Sequence, residues 1–256
     1  MISKLKDLIK NYLLNTKFLK KISVLYVTQN KLLPSVLVKL ESHEARSQLF
    51  LPQSKYITQL NQDIFGLIHN KYNPGYFIEI GANDGFDLSN TIYLEKFFGW
   101  NGLLIEANPK YEDSLKKRNA KHVISAVMDM PGVYEFIDAG LYGGIEKTID
   151  SANIHRTNNS SLIKVNGERF EVILKNNHAP KIIDFISIDV EGGETSIVKQ
   201  MTSLQDYRFK SGCIEHNYRE DDYLQIKKLL ELSGYKIIWE NQTMHDLFFV
   251  DSISAK

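Results

Sequence analysis

The chain has 256 residues, 43% of them hydrophobic, enough for one substantial globular core with an appended segment. Its 31 basic and 31 acidic residues cancel, so the total charge points to no polyanionic partner, and a nucleic-acid partner is not expected. A single cysteine, Cys213, excludes an internal disulfide framework and a multi-cysteine zinc site; flanked by apolar residues, it reads as a small core residue in a reducing compartment. No apolar run reaches the roughly 18 residues of a transmembrane helix, and the N-terminus lacks the layout of a signal peptide, so a cytoplasmic protein is expected.

Residues 1–50 read as a basic helical segment. Leu5, Leu8, Ile9, Tyr12 and Leu13 recur at helical spacing among Lys4, Lys6, Lys10, Lys17, Lys20 and Lys21. Such a helix suits docking on the body of the protein, dimerisation through residues 1–25, or an anionic membrane surface, which would place the protein at the inner face of the membrane. Pro34 and the polar stretch 41–48 connect it to a main domain, residues 51–256.

In that domain the pattern alternates. A helix is predicted over 57–72, broken by Asn73, Pro74 and Gly75 before the strand YFIEI. A helix carrying Tyr93, Leu94, Phe97 and Phe98 precedes the strand GLLIEA, and a short helix over 111–119 precedes HVISAV. GVYEFID reads as a fourth strand, and FISIDV and SGCIEHN follow, separated by a helix from Glu194 to about Met201. A late helix over 223–235 stops at Gly234, and YKIIWE with HDLFFVD reads as a closing antiparallel pair at one edge. Repeated strand-helix-strand units predict an α/β fold, a mostly parallel sheet with helices on both faces. In such sheets ligands bind beyond the carboxyl ends of the strands, and most of these strands end in an acid.

The first of those ends, EIGANDG, holds Glu79, Gly81 and Gly85 at a strand-to-helix turn, where glycine lets backbone approach a ligand closely. Glu106 closes the second strand 21 residues after Gly85, where an acid can accept both hydroxyls of a ribose. Together they describe an adenosine-containing ligand. A nicotinamide dinucleotide asks for G-x-G-x-x-G and a diphosphate on the helix N-terminus. Asp84 would repel a diphosphate; with Glu79 it better suits a ligand carrying an ammonium and a sulfonium.

FIEIGANDGFDLSN, GLLIEANP, Ala126-Val127 and IDFISIDVEGGE together resemble the FkbM family of S-adenosylmethionine-dependent methyltransferases, from about Ser54 to Val250. DVEGGE stands where DVEGAE is commoner. The resemblance implies a Rossmann-like class I methyltransferase fold, a seven-stranded sheet with an antiparallel last strand. It implies a cofactor held by Glu79, Gly81, Asn83, Asp84, Gly85 and Ser89, with Glu106 and Ala107 at the ribose and Ser125 and Ala126 near the adenine. Relatives often carry Asn where this chain has Ser125. The implied reaction is O-methylation of a carbohydrate-type acceptor, in a surface polysaccharide or a nucleotide-sugar building block.

FISIDVEGGE adds an acid pair. In an extended segment Asp189 and Glu191 project to the same side about 6 to 7 Å apart and repel unless a proton or cation lies between them. If the next strand lies alongside, Glu215 completes a three-carboxylate set suited to Mg²⁺ or Mn²⁺, which would lower the pKa of a substrate hydroxyl. His216 or one of the acids would take the proton. In a metal-free version Asp189 or Glu191 is the general base and positioning supplies most of the catalysis. NIHRTNNSS offers His155, Arg156, Asn158 and Asn159 as a substrate loop for a polyhydroxylated ligand or as a solvated connection; His245 and Asp246 suit the site rim or a turn. Two readings from other classes compete: a nicotinamide oxidoreductase and a non-catalytic partner-binding member of the fold.

Overall fold

A computed structural model describes residues 54–56, 58–149, 160–240 and 243–253. The expected N-terminal helix, with its membrane or dimer contact, lies outside these described residues, as do His155, Arg156, Asn158 and Asn159. In chain order the strands are β1 (Tyr76–Ile80), β2 (Asn101–Glu106), β3 (Lys121–Ile124), β4 (Ala126–Val127), β5 (Gly132–Asp138), β6 (Gly144–Ile145) and β7 (Ser161–Glu168). They continue with β8 (Ile182–Ile183), β9 (Phe185–Ile188), β10 (Arg208–Phe209), β11 (Ser211–Glu215), β12 (Tyr235–Ile238) and β13 (Asp246–Asp251). The helices are α1 (Gln62–His69), α2 (Ile92–Phe98), α3 (Glu112–Leu115), α4 (Phe170–Asn176), α5 (Glu194–Ser203) and α6 (Glu220–Leu232).

Seven strands form the main sheet in the order β12-β13-β11-β9-β1-β2-β3. The β1, β2, β3, β9 and β11 neighbours pair in parallel, and β13 runs antiparallel to both β11 and β12. This is the class I methyltransferase arrangement that the resemblance implies. The central strands are nearly continuous apolar runs because both faces are covered. Phe77, Leu104, Phe185, Cys213 and Phe248 pack with Ile64, Phe65 and Ile68 of α1. Ile78, Ile105, Ile186 and Ile214 pack on the other face with Phe170, Ile197, Val198 and Ile226 of α4, α5 and α6. Each such side chain contributes about 1.5–3 kcal/mol by leaving water.

Helix ends follow local chemistry. Gly99 ends α2 in the left-handed region at φ 66°, and Gly234, at φ 78°, follows α6 as predicted. Glu220, Asp221 and Asp222 sit in the first turn of α6, where acids face the positive end of the helix dipole.

The structure corrects several elements. HVISAV is not one strand: β3 ends at Ile124, and Ala126-Val127 crosses at Ser125 into a second sheet of order β4-β7-β5-β6. GVYEFID belongs to that sheet as β5, paired antiparallel with β7 over a small core of Ala126, Phe136, Ile145 and Val165. The closing pair is antiparallel, but β13 inserts between β11 and β12 and so lies inside the sheet. The first helix spans only Gln62–His69, and the helix over 111–119 shrinks to α3 behind a 3-10 turn, Pro109–Tyr111. The α4 helix was not anticipated.

A buried ion pair joins the segment between α3 and β3 to α2, and its arginine reaches on to the turn after β1. Arg118, with its side chain fully covered, donates through Nε to Glu95 Oε2 at 3.1 Å. Its remaining nitrogens donate to the Gly85 carbonyl, to Ser89 Oγ at 3.2 Å and to Thr91 Oγ1 at 3.1 Å. Removing one partner of such a pair strands the other charge in the interior. Arg118→Met should therefore lower the unfolding free energy by about 3–5 kcal/mol in chemical denaturation; a loss below about 1 kcal/mol would show that the pair does not hold the turn.

Candidate active site

The turn after β1 is shaped by backbone proximity. Gly81 has φ 85°, and a Cβ there would lie 1.6 Å from the carbonyl oxygen of Asp189. Glu79, buried, accepts from Ser89 Oγ at 2.9 Å, Asn90 N at 2.7 Å and Thr91 Oγ1 at 2.5 Å. Burial raises its pKa, and Arg118 together with those donors opposes the rise. Asp84 Oδ1 accepts from the backbone of Phe86 and Asp87 at 2.8 and 2.9 Å. It caps the turn and lines neither cavity described below, which corrects its assignment to a cofactor's cationic groups. Gly85 also lines neither; its place is against Leu115 and Arg118.

Two cavities open at this end of the sheet. The first, about 380 Å³, lies between the main sheet and the second sheet and is lined by Gly81, Asn83, Glu106, Ala107, Ser125 and Ala126, six of the expected cofactor residues. Glu106 accepts from Asn83 N and Asn108 N, both at 2.7 Å, and burial pushes its carboxyl pKa up. Each oxygen keeps lone-pair capacity for a further donor. Asn108, also in this wall, is buried; its Oδ1 caps the 3-10 turn at Lys110 N and its side-chain amide faces the Asp138 carboxylate. The Asn-Pro step of EANP, a turn signal, was the available hint. Asp129, likewise not anticipated, lines the cavity and accepts from Ser196 Oγ at 3.0 Å and Gln200 Nε2 at 3.2 Å.

The second cavity, about 330 Å³, shares Ile80, Gly81, Asn83, Leu141, Asp189 and Glu191 with the first. Glu79 and Ser89 belong to it. The segment after β9 is not extended: Glu191 is left-handed at φ 58° and Gly192 has φ 128°, where a Cβ would meet the Thr148 carbonyl at 2.2 Å. Glu194 holds this turn by accepting from Val190 N at 3.2 Å, Gly192 N at 2.9 Å and Arg219 Nη2 at 2.9 Å. The expected same-side projection is thus reached by a turn. Asp189, Glu191 and Glu215 each place a carboxylate oxygen within 4.8 Å of the others.

Asp189 and Glu215 share a side-chain hydrogen bond, and Asn217 Nδ2 donates to Glu191 Oε2 at 3.1 Å and Glu215 Oε2 at 2.7 Å. Burial first, then the neighbouring carboxylates, pushes Glu215 far above the carboxylate range, so it holds the shared proton; burial raises Asp189 to about 7. His216 is not brought in: it lines neither cavity, and its ring packs 5.2 Å from Tyr223 and 6.4 Å from Tyr218. His245 lines the second cavity instead, with Nε2 3.0 Å from Gln59 Oε1. Glu215, His245 and Asp246 form a second set of donors within 4.8 Å. Asn217, Gln59 and Tyr218 complete a wall that the sequence pattern did not single out.

A model of the FkbM methyltransferase domain matches residues 79–237, more than half of the chain. The chain belongs to the FkbM methyltransferase family. That membership sets aside the nicotinamide oxidoreductase alternative. Solved structures that align with this family member are of low identity. A human methyltransferase 10 domain containing protein is 15% identical with a TM-score of 0.44, over 86% of this chain and 96% of that one. Methyltransferase FkbM from Methylobacillus flagellatus is 14% identical with a TM-score of 0.43, over 69% of this chain and 43% of that one. A precorrin-6y C5,15-methyltransferase from Geobacter metallireducens is 14% identical with a TM-score of 0.39, over 77% of this chain and 90% of that one. No curated protein matches the sequence. Among the described residues no helix is long and apolar enough to cross a membrane.

For an FkbM methyltransferase the cofactor is S-adenosylmethionine, and the first cavity fits it: a buried acid with lone pairs left for hydroxyls and a glycine-lined edge. Glu106→Ala should weaken binding of S-adenosylhomocysteine by about 1–3 kcal/mol, the scale of lost hydrogen bonds to a charged group. Calorimetric titration reads this directly, and unchanged affinity would move the ribose contact elsewhere.

Proposed function

We propose that this enzyme transfers a methyl group from S-adenosylmethionine to a hydroxyl of a carbohydrate-type acceptor. The observation that carries the reading is that Asp189 and Glu191 line both cavities at once. A group held in the second cavity therefore meets a carboxylate at the boundary with the donor cavity. When bound, S-adenosylmethionine would supply a methyl carbon activated by a sulfonium, the C–S electron pair leaving with sulfur as the acceptor oxygen bonds that carbon. Asp189 would take the acceptor's proton. Glu215 keeps its own proton and orients Asp189 through their hydrogen bond. Asn217 holds Glu191 and Glu215 in place. Catalysis by orientation and a matched base suits a donor that is already reactive.

A polyol acceptor is favoured by the walls. Asn90, Ser187, Asn217 and Gln59 present donors and acceptors for hydroxyls. Leu88, Leu141 and Tyr218, all exposed, rim the mouth with apolar surface for the C–H faces of a sugar ring. The acidic wall opposes a phosphodiester backbone, which supports a small molecule or glycan over nucleic acid.

A second reading has its own observation. The three oxygens of Asp189, Glu191 and Glu215 could hold Mg²⁺ or Mn²⁺ in place of the shared proton, and the ion would acidify the acceptor hydroxyl. Dialysis against a chelator separates the two: unchanged turnover leaves Asp189 as the base, and loss restored by Mg²⁺ or Mn²⁺ assigns the ion.

Asp189→Asn should reduce turnover by about 10²–10⁴-fold, the usual worth of a general base, while S-adenosylhomocysteine still binds. Normal turnover in that variant would remove Asp189 from the mechanism. With Asp189 raised to about 7, its basic form grows as pH rises, so metal-free turnover should increase about tenfold between pH 6 and pH 8. A flat profile across that range would exclude Asp189 as the titrating base.

A further inference from the structure

The second cavity is unusual in the sign of its wall. Glu79, Asp87, Asp189, Glu191 and Glu215 all line it, and among the described residues it has no lysine or arginine. The nearest arginines are engaged elsewhere. Arg118 lies beneath the turn, bonded to Glu95 and to the turn itself, and Arg219 is paired with Glu194 and Asp222. His245, the one basic side chain in the wall, lies against Gln59 Oε1, and burial works against its charged form. Five carboxylates thus face one cavity with no lysine or arginine among them, and Asp87 is exposed at its mouth. A cleft lined by one sign of charge focuses its field and concentrates ligands of the opposite sign. The polar groups between these carboxylates, Asn90, Asn217 and Gln59, are neutral partners for hydroxyls.

We infer that the acceptor enters this cavity as an uncharged or amine-bearing polyol and not as a sugar phosphate or nucleotide sugar, with Asp87 at the mouth contributing to that selection. The inference rests on the methyltransferase reading for the word acceptor, but the charge selection belongs to the cavity. At about 330 Å³, near the small end of the roughly 300–1,000 Å³ typical of ligand pockets, it also holds little beyond one sugar ring. This narrows the carbohydrate class by excluding the activated, diphosphate-bearing building blocks.

The experiment reads the field without knowing the acceptor. Leu88, exposed in the cavity wall, is replaced as Leu88→Cys in the full chain; the native Cys213 is buried with its thiol pKa pushed well up and serves as the silent background. Labelling rates are measured with a cationic trimethylammonium-ethyl methanethiosulfonate and its anionic sulfonatoethyl counterpart, each relative to mercaptoethanol. The cationic reagent should be favoured by about tenfold or more at low salt, with the preference collapsing in 1 M salt. Adding Asp87→Asn should reduce it severalfold. Equal rates, or a preference for the anion, overturn the inference, as does an unchanged preference after Asp87→Asn for the role given to Asp87. A parallel titration with S-adenosylhomocysteine keeps the two readings apart. Binding there with no charge preference would sink only the acceptor class; no binding with a strong preference would sink the donor assignment instead. In transfer assays from labelled S-adenosylmethionine, faster methylation of a sugar phosphate than of its dephosphorylated counterpart would also overturn it.

Discussion

A Cβ on Gly81 would lie 1.6 Å from the carbonyl oxygen of Asp189, and much of the site follows from that approach. Two loops from neighbouring strands, β1 and β9, touch backbone to backbone, which only glycine at 81 permits. The contact is why one residue pair belongs to two cavities. It brings the first cavity and the acid-lined second cavity together without any long side chain bridging them. The Asp189 N–H also donates to the Ile80 carbonyl at 3.0 Å, so the sheet ladder itself carries this registration to its last residue.

Around that contact, buried charge is handled in two ways. On the far side of the donor turn, Glu95 and Arg118 neutralise each other, and the guanidinium further bonds the turn that Glu79 also holds. Beside the acid turn, Glu194 does the same with Arg219. In the acceptor cavity no such pairing occurs among the described residues; a shared proton and an amide take its place. The contrast is physical: the acids buried beside the turns are given cations, while those lining the second cavity are given hydrogen-bond donors and a proton. Of the ten non-glycine residues in the left-handed region among the described residues, five, Asn83, Leu88, Glu191, Asn217 and Tyr218, line the second cavity. Strained residues of this kind persist where surrounding bonds over-determine them, as Asn217 and Glu191 are by their mutual hydrogen bond.

Much of this was legible in the chain. The apolar strands ending in Glu79, Glu106, Asp189 and Glu215 marked the edge of the sheet where both cavities open. Asp84 and His216 were misplaced for a common reason: residue type and spacing say that a group is near a strand end but not which way its side chain is held. Asp84 turns back onto Phe86 N and Asp87 N, and His216 turns onto Tyr223. Arg118, Asn217 and Gln59 carried no local signal because their partners are distant in sequence or across a loop.

Periodicity, glycines and acids at strand ends were enough to specify a parallel α/β sheet and the strand ends at which the acids gather, because each depends on spacing within a short segment. The tertiary structure alone decided that the chain leaves the main sheet at Ser125 to build a second one, that β13 inserts between β11 and β12, and that Asp189 faces two cavities. Those outcomes depend on which strands pair and which backbones touch. Contacts between residues tens to hundreds of positions apart are chosen by the packing of the whole sheet and leave no periodic trace in any one segment.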